Sequence, residues 1–270
     1  RFDYRASHSF HNQNESGTAS IERAVTIVFS APPTRRDPVS FDVVLEPQQS
    51  RHLCIDFKPD VDGIESEPVH RCRDFRRGDN PLDRRVAAFT SAATRFDAPG
   101  SDSLTQIVLG TLEQAKHDLA ALRLFDLDVS ERAWIVAAGL PIYVALYGRD
   151  ALTAPWQAAM LDPHFMEGVL SVLARHQGTA VNDWRDEQPG RMLHEMHTGP
   201  LSALNFNPRA RSYSSTTTAG LYPFIVAELW HWTGEKELVE PFIDPALRAL
   251  EWLDRDGDLD CIEGNRARNH

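Results

Sequence analysis

Nowhere in this chain do apolar residues run for anything near the roughly 18 positions of a membrane span, and no secretory pattern opens it, so no membrane partner is expected. Cysteine is scarce. Cys54, Cys72 and Cys261 form an odd count without CxxC spacing, which suggests neither a zinc knuckle nor a disulfide framework and makes a reducing cytoplasm the expected setting. Positive charge is in deficit: the formal charge is -11, and the arginine-rich stretch from Arg71 to Arg85 is broken by Asp74, Asp79 and Asp83. That stretch reads as a solvated connection, and no nucleic-acid partner is expected. A P-loop, a Gly-rich dinucleotide turn and a nucleophile elbow are absent as well. The histidines of His194-Glu195-Met196-His197 are three apart, whereas a zinc-protease helix needs them four apart. The run Asp254-Arg-Asp256-Gly-Asp258-Leu-Asp260 places Leu259 at the glycine position of a calcium loop and Asn265 at its closing glutamate. Neither a metal nor a cofactor is therefore expected.

What remains is an ordinary composition for a folded chain. Its 270 residues, 42% hydrophobic and 25% charged, suffice for one large domain or two smaller ones with a buried core. Between Ser20 and Phe57 the apolar residues alternate: Val25, Ile27 and Phe29, then Phe41, Val43 and Leu45, then Leu53, Ile55 and Phe57. Period two with prolines between the runs predicts antiparallel strands. Three strands do not make a self-sufficient sandwich. With Arg1 and not Met in first place, residues 1–60 read as the remnant of an antiparallel β-sandwich domain whose earlier strands are expected upstream. Residues 61–99, rich in Arg, Asp, Pro and Gly, read as a linker with one short helix from Arg84 to Ala93.

At Ser103 the period changes. Leu104, Ile107, Val108, Leu112, Ala115, Leu119 and Leu122 form a helical stripe behind a cap at Asp102 or Ser103. Further helices are predicted from Asp150 to Leu161, from Asp162-Pro163 to near Gly178, from Thr216 to Trp232 and from Glu237 to Leu253. Tight turns at Asp162-Pro163 and Gly234-Glu235 contrast with the long polar connection from Gly178 to Ser215. Residues 100–270 thus read as mainly α, with helical hairpins arranged as a toroid whose site lies at the long-loop end.

The polar residues between Trp134 and Gly199 gather in these connections, where function is expected on a rigid scaffold: Arg149 with Asp150, then Asp183, Arg185, Asp186 and Glu187, then His194 and Glu195. Carboxylates predominate. Glycoside hydrolysis is the reaction class that asks for little beyond two of them, one protonated as acid and one ionised as base or nucleophile. Asp150, Asp183, Asp186, Glu187 and Glu195 are the candidates. Trp134, Tyr147, Trp156 and Trp184 offer flat apolar faces for sugar rings, while Arg149 and Asp150 offer charged hydrogen bonds to hydroxyls. The same pair can instead serve structure, by pairing internally or by capping the helix that starts at Asp150. Trp230, Trp232 and Trp252 have the spacing of core residues on helices.

Six ordered segments resemble the bacterial glycogen-debranching, amylo-α-1,6-glucosidase family. They are Trp134-Ile-Val-Ala-Ala-Gly-Leu-Pro141, Tyr147-Gly-Arg-Asp-Ala-Leu152, Gln177-Gly178, Asp186-Glu-Gln-Pro-Gly-Arg-Met-Leu-His-Glu195, Trp232-Thr-Gly-Glu235 and Ala249-Leu-Glu-Trp-Leu253. The resemblance implies a catalytic (α/α)6 barrel of the six-hairpin glycosidase type, of which residues 100–270 would be the N-terminal part. It also implies an α-glucan substrate, from which terminal α-1,6-linked glucose is hydrolysed. Carried over residue by residue, Arg149 and Asp150 look like the pair that grips the hydroxyls of the terminal glucose, and Glu195 would line the same pocket. With Tyr147 and Trp184 as platforms, these five form the expected substrate-binding set. Thr217 stands where the family pattern has an acid. By the same resemblance the catalytic acid is expected beyond His270, in a Trp-Lys-Asp type segment, and the base further on. Two other readings stay open: a non-catalytic carbohydrate-binding relative, and another six-hairpin glycosidase of the trehalase or glucoamylase kind.

Overall fold

In the computed structural model, residues 1–12, 15–68, 81–100 and 102–257 are described, and they combine antiparallel sheets with seven α-helices. The chain divides into two compact units, Arg1–Ser9 with Thr18–Arg84, and Phe10–Gly17 with Arg85–His270. Among the described residues no helix is long and apolar enough to cross a membrane.

The first part of the chain supplies strands β1 (Phe2–Asn12), β2 (Glu15–Phe29), β3 (Arg35–Arg36), β4 (Val39–Ser40), β5 (Ile55–Val61) and β6 (Ile64–Glu65). One sheet has the order β1-β2-β5-β6, and β3 with β4 forms a separate ribbon. The expected runs around Val25 to Phe29 and Ile55 to Phe57 are strands, paired so that Phe29 faces Ile55, Ile27 faces Phe57 and Val25 faces Pro59. Asp62 and Gly63, both at positive φ, make the two-residue turn between β5 and β6. The expected strand from Phe41 to Leu45 is not formed. Both edges of β2 are already taken by β1 and β5, so that run has no free edge of β2 to pair with, and only Phe41 packs, edge-on, against Phe29. Strand β1 lies upstream of every strand expected from the apolar pattern, because Ala6 and His8 interrupt its apolar side.

Alternation also places the apolar side chains differently from the rule for a half-buried sheet. Ile55, Phe57 and Val61 are 46%, 57% and 47% exposed, while Asp60 on the opposite face is buried. Arg1 bonds Asp60, and Arg5 pairs with Glu22 on that same polar face. A second departure concerns Cys54, which is disulfide-bonded. An odd cysteine count without local spacing does not forbid a bridge, since bridging needs only close Cα approach in space. Cys72 and Cys261 lie outside the described residues.

The helices are α1 (Pro81–Ala92), α2 (Ser103–Ala121), α3 (Gly148–Gln157), α4 (His164–Arg175), α5 (Pro200–Ala203), α6 (Thr217–Thr233) and α7 (Lys236–Trp252). Their ends obey local chemistry. Asp102 caps α2 by accepting from the Thr105 N–H at 3.0 Å, and Gly234, at φ 66°, closes α6 in the left-handed conformation. Asp162 accepts from the His164 N–H and is itself gripped by the Arg132 guanidinium, which fixes the entry into α4.

Helices α3, α4, α6 and α7 share one core, in which Leu152, Met166, Leu170, Leu173, Tyr222, Leu229 and Trp252 are fully buried. The Tyr222 hydroxyl donates to the Leu170 carbonyl and ties α6 to α4. A second cluster joins Phe89 of α1, Ala120 of α2, Trp134 and Phe165. Trp134 is 1% exposed, with Phe165 edge-on at 4.3 Å and the Arg123 guanidinium 4.9 Å over its ring. It is therefore a core residue and not the sugar platform expected of it. Trp230 and Trp232, expected in the core, are 45% and 49% exposed, because α6 is apolar around most of its circumference and buries only one side. Along α2, likewise, Leu104, Ile107 and Val108 stay exposed, and the buried residues are Lys116 and Ala120. The calcium-like run is described only as far as Gly257, where residues Leu253–Gly257 wind into a wide helical turn.

Helix α4 approaches the Trp134 backbone through Gly168, where an added Cβ would sit 2.4 Å from the Trp134 nitrogen. Overpacking against rigid backbone costs about 1–3 kcal/mol or more. Gly168→Ala should therefore lower stability by at least about 2 kcal/mol. At Gly110 of α2 nothing lies within 4 Å of such an atom, so Gly110→Ala should raise stability by roughly 0.5–1 kcal/mol. Urea unfolding midpoints of the two variants, compared with the parent, check both signs.

Candidate functional site

A small antiparallel ribbon organises the polar residues. Strand β7 (Leu146–Tyr147) pairs with β8 (Glu195–Met196), setting Tyr147 directly opposite Glu195. The pairing is tight because Gly148 has no side chain: an added Cβ there would lie 2.3 Å from the Leu193 carbonyl oxygen. Instead the Gly148 N–H donates to the His194 carbonyl at 2.7 Å. On its other side Glu195 exchanges backbone hydrogen bonds with Ser212, and the His197 N–H donates to the Arg209 carbonyl. Residues Tyr147, Glu195, His197 and Ser212 consequently share one face of a three-segment ribbon, since opposite and alternate positions point the same way.

Glu195 is buried, 7% exposed. Its Oε2 accepts from the His197 Nε2 at 2.9 Å, and its Oε1 lies 3.4 Å from the Arg209 Nε. The Tyr147 ring meets the His197 ring edge-on at 5.2 Å and the Tyr143 ring at 5.7 Å. Partial burial, reinforced by the Glu195 charge, pushes the Tyr147 hydroxyl above its ordinary range and keeps it neutral. Arg149 and Asp150 begin α3 immediately after the ribbon and are exposed. The cap position of α3 is Tyr147, without a side-chain cap bond, so Asp150 does not serve as the cap. Both charges act on His194, whose imidazole is held below its ordinary value chiefly by burial.

Four of the five expected binding residues, Tyr147, Arg149, Asp150 and Glu195, thus come together. Trp184 occupies a neighbouring loop and is half-buried. That loop abuts the ribbon, since the Tyr213 N–H donates to the Arg185 carbonyl. Several of its polar residues hold the loop itself. Glu187 accepts from the Thr179 N–H, Asn182 and Glu187 pair across the turn, and the Asp186 carbonyl accepts from Arg191. The buried Gln177 amide donates to the carbonyls of Gly190 and Pro245 and accepts from Arg248, pinning the loop base to α7. Trp252 donates to the Gln188 side chain and lies under the Arg191 guanidinium. Trp156, another expected platform, is 37% exposed and donates to Glu228.

His197 enters from the sequence only as half of the rejected zinc pair, and Arg209 does not enter at all. The i, i+2 spacing of Glu195 and His197 is the signal that a strand would have given; nothing local marks Arg209. Among the described residues no group of three or more His, Cys, Asp or Glu could hold a metal ion. A buried carboxylate between a histidine and an arginine, an aromatic edge and an exposed Arg-Asp pair are thus brought to one place.

No protein-family model matches the chain, and no curated protein is significantly similar to it. The resemblance to glycogen-debranching enzymes rests on the motif residues alone.

Two half-buried histidines make stability pH-dependent. His194 and His176 are both held below the ordinary value of 6.5, mainly by burial. Below that value the unfolded chain binds more protons than the folded one, so the stability present above pH 6.5 is lost as pH falls through it. Urea midpoints should fall between about pH 7.5 and 5.5, a window above the carboxylate range. His194→Gln should reduce that fall, and a midpoint independent of pH would contradict the assignment.

Proposed function

We propose that the chain is a glycoside hydrolase relative acting on α-glucan, of the amylo-α-1,6-glucosidase type, and that the ribbon with the start of α3 forms the sugar-binding side of its pocket. The observation that carries this reading is the pairing of Tyr147 with Glu195, with Arg149 and Asp150 next in the chain. An aromatic face, a carboxylate that accepts and a guanidinium that donates are the three elements needed to hold one glucose ring by its face and its hydroxyls. Their order in the chain is the order of the motifs that resemble the debranching family. The partial (α/α)6 toroid belongs to the same proposal; the packing of α3, α4, α6 and α7 around one core is compatible with it.

These 270 residues contain no Trp-Lys-Asp segment, where the resemblance sets the catalytic acid. Binding without hydrolysis is the expected behaviour of this chain. A non-catalytic carbohydrate-binding relative is the second reading, and Thr217 favours it: at the position of the family's acid its hydroxyl shares a 2.9 Å hydrogen bond with Ser215 and carries no charge.

Affinity electrophoresis in glycogen gels tests the proposal. The parent should be retarded, and Arg149→Ala and Asp150→Asn should each weaken retention about tenfold or more, as loss of a charge-assisted hydrogen bond implies. Melting temperatures should change little, because both side chains are exposed and neither caps α3. Lowered melting with unchanged retention would show the pair to be structural, and glucose release from limit dextrin by this chain would overturn the expectation of binding alone.

A further inference from the structure

We propose that His197 and Arg209 are positioning residues, which fix the Glu195 carboxylate so that its unshared lone pairs face a sugar hydroxyl. The inference rests on the sugar-site reading above and assigns roles to two residues that the motif resemblance leaves without one.

The backbone geometry comes first. Glu195 is held from both sides, by Tyr147 across β7 and by Ser212 on the other flank, so its Cα cannot shift without breaking two pairings. The side chain is held at its far end too, with the His197 Nε2 on one oxygen at 2.9 Å and the Arg209 Nε 3.4 Å from the other. The two holders are coupled, because the His197 N–H donates to the Arg209 carbonyl at 2.9 Å. The His197 ring is in turn fixed edge-on by Tyr147.

An ionised carboxylate has about four lone-pair directions. Two partners leave about two of them for hydroxyl donors. A glutamate has three side-chain torsions to settle on binding. Settling them beforehand removes that entropic cost from ligand capture. Arg209 contributes by charge and direction while remaining 57% exposed itself, which suits a residue at the mouth of a site. Neither residue needs to touch the sugar.

Two variants of His197 separate the hydrogen bond from the ring. His197→Phe keeps the ring against Tyr147 and removes the N–H; His197→Gln keeps an N–H donor and removes the ring. For Arg209 the matching pair is Arg209→Met and Arg209→Lys. With glycogen as the probe in affinity gels, His197→Phe and Arg209→Met should weaken retention about tenfold, the loss expected when a charge-assisted bond is removed. His197→Gln and Arg209→Lys should stay within about threefold of the parent, less than half of that loss in free energy. In a Glu195→Ala background none of the four should weaken retention further, because their effect runs through the missing carboxylate. Equal retention by His197→Phe and the parent, or full additivity with Glu195→Ala, overturns the inference while leaving the sugar site standing. A parent that glycogen does not retain overturns both.

Discussion

The close approach of Gly148 to the Leu193 carbonyl governs the second unit. With any side chain there, β7 and β8 could not pair as they do, and Tyr147 would not lie across from Glu195. The same contact sets the first turn of α3, so Arg149 and Asp150 take their direction from it. Thr218 of α6, fully buried, packs against Gly148 as well, so α6 backs the ribbon from behind. One missing carbon thus couples two strands and two helices.

Helices α2, α4 and α6 were legible because one end of each carries its own punctuation. Asp102, Asp162 and Gly234 stand where capping chemistry demands, and the apolar period between them matches the buried faces of α4 and α7. Strands were legible only where β-branched and aromatic residues run unbroken. Phe41 to Leu45 has the pattern without a partner, and β1 has a partner without a clean pattern, since pairing is a property of neighbours and not of a segment. Of the candidate site, Arg149, Asp150, Tyr147 and Glu195 could be found from residue type in loops. His197 and Arg209 could not, because their roles depend on a ribbon with strands only two residues long.

Resemblance by motif mixes two kinds of residue, and the structure separates them. Gln177, Gly178, Gln188, Gly190 and Arg191 all belong to motif segments, yet each is engaged in closing the loop or fastening it to α7. Gly190 illustrates the point: it lies at φ 91°, with the Arg248 carbonyl 2.5 Å from where a Cβ would be. Trp134 belongs with them, buried against Phe89 and Phe165.

The sheet of the first unit turns Ile55, Phe57 and Val61 outward, with Phe2, Tyr4 and Ile64 also exposed. Water must order around that face, and the free energy of doing so depends on temperature in a characteristic way. Apolar association is driven by entropy near room temperature and weakens on cooling. Solutions of this chain should therefore disperse best in the cold and cluster on warming well below any unfolding transition, the reverse of what hydrogen-bonded or ionic contacts between copies would produce.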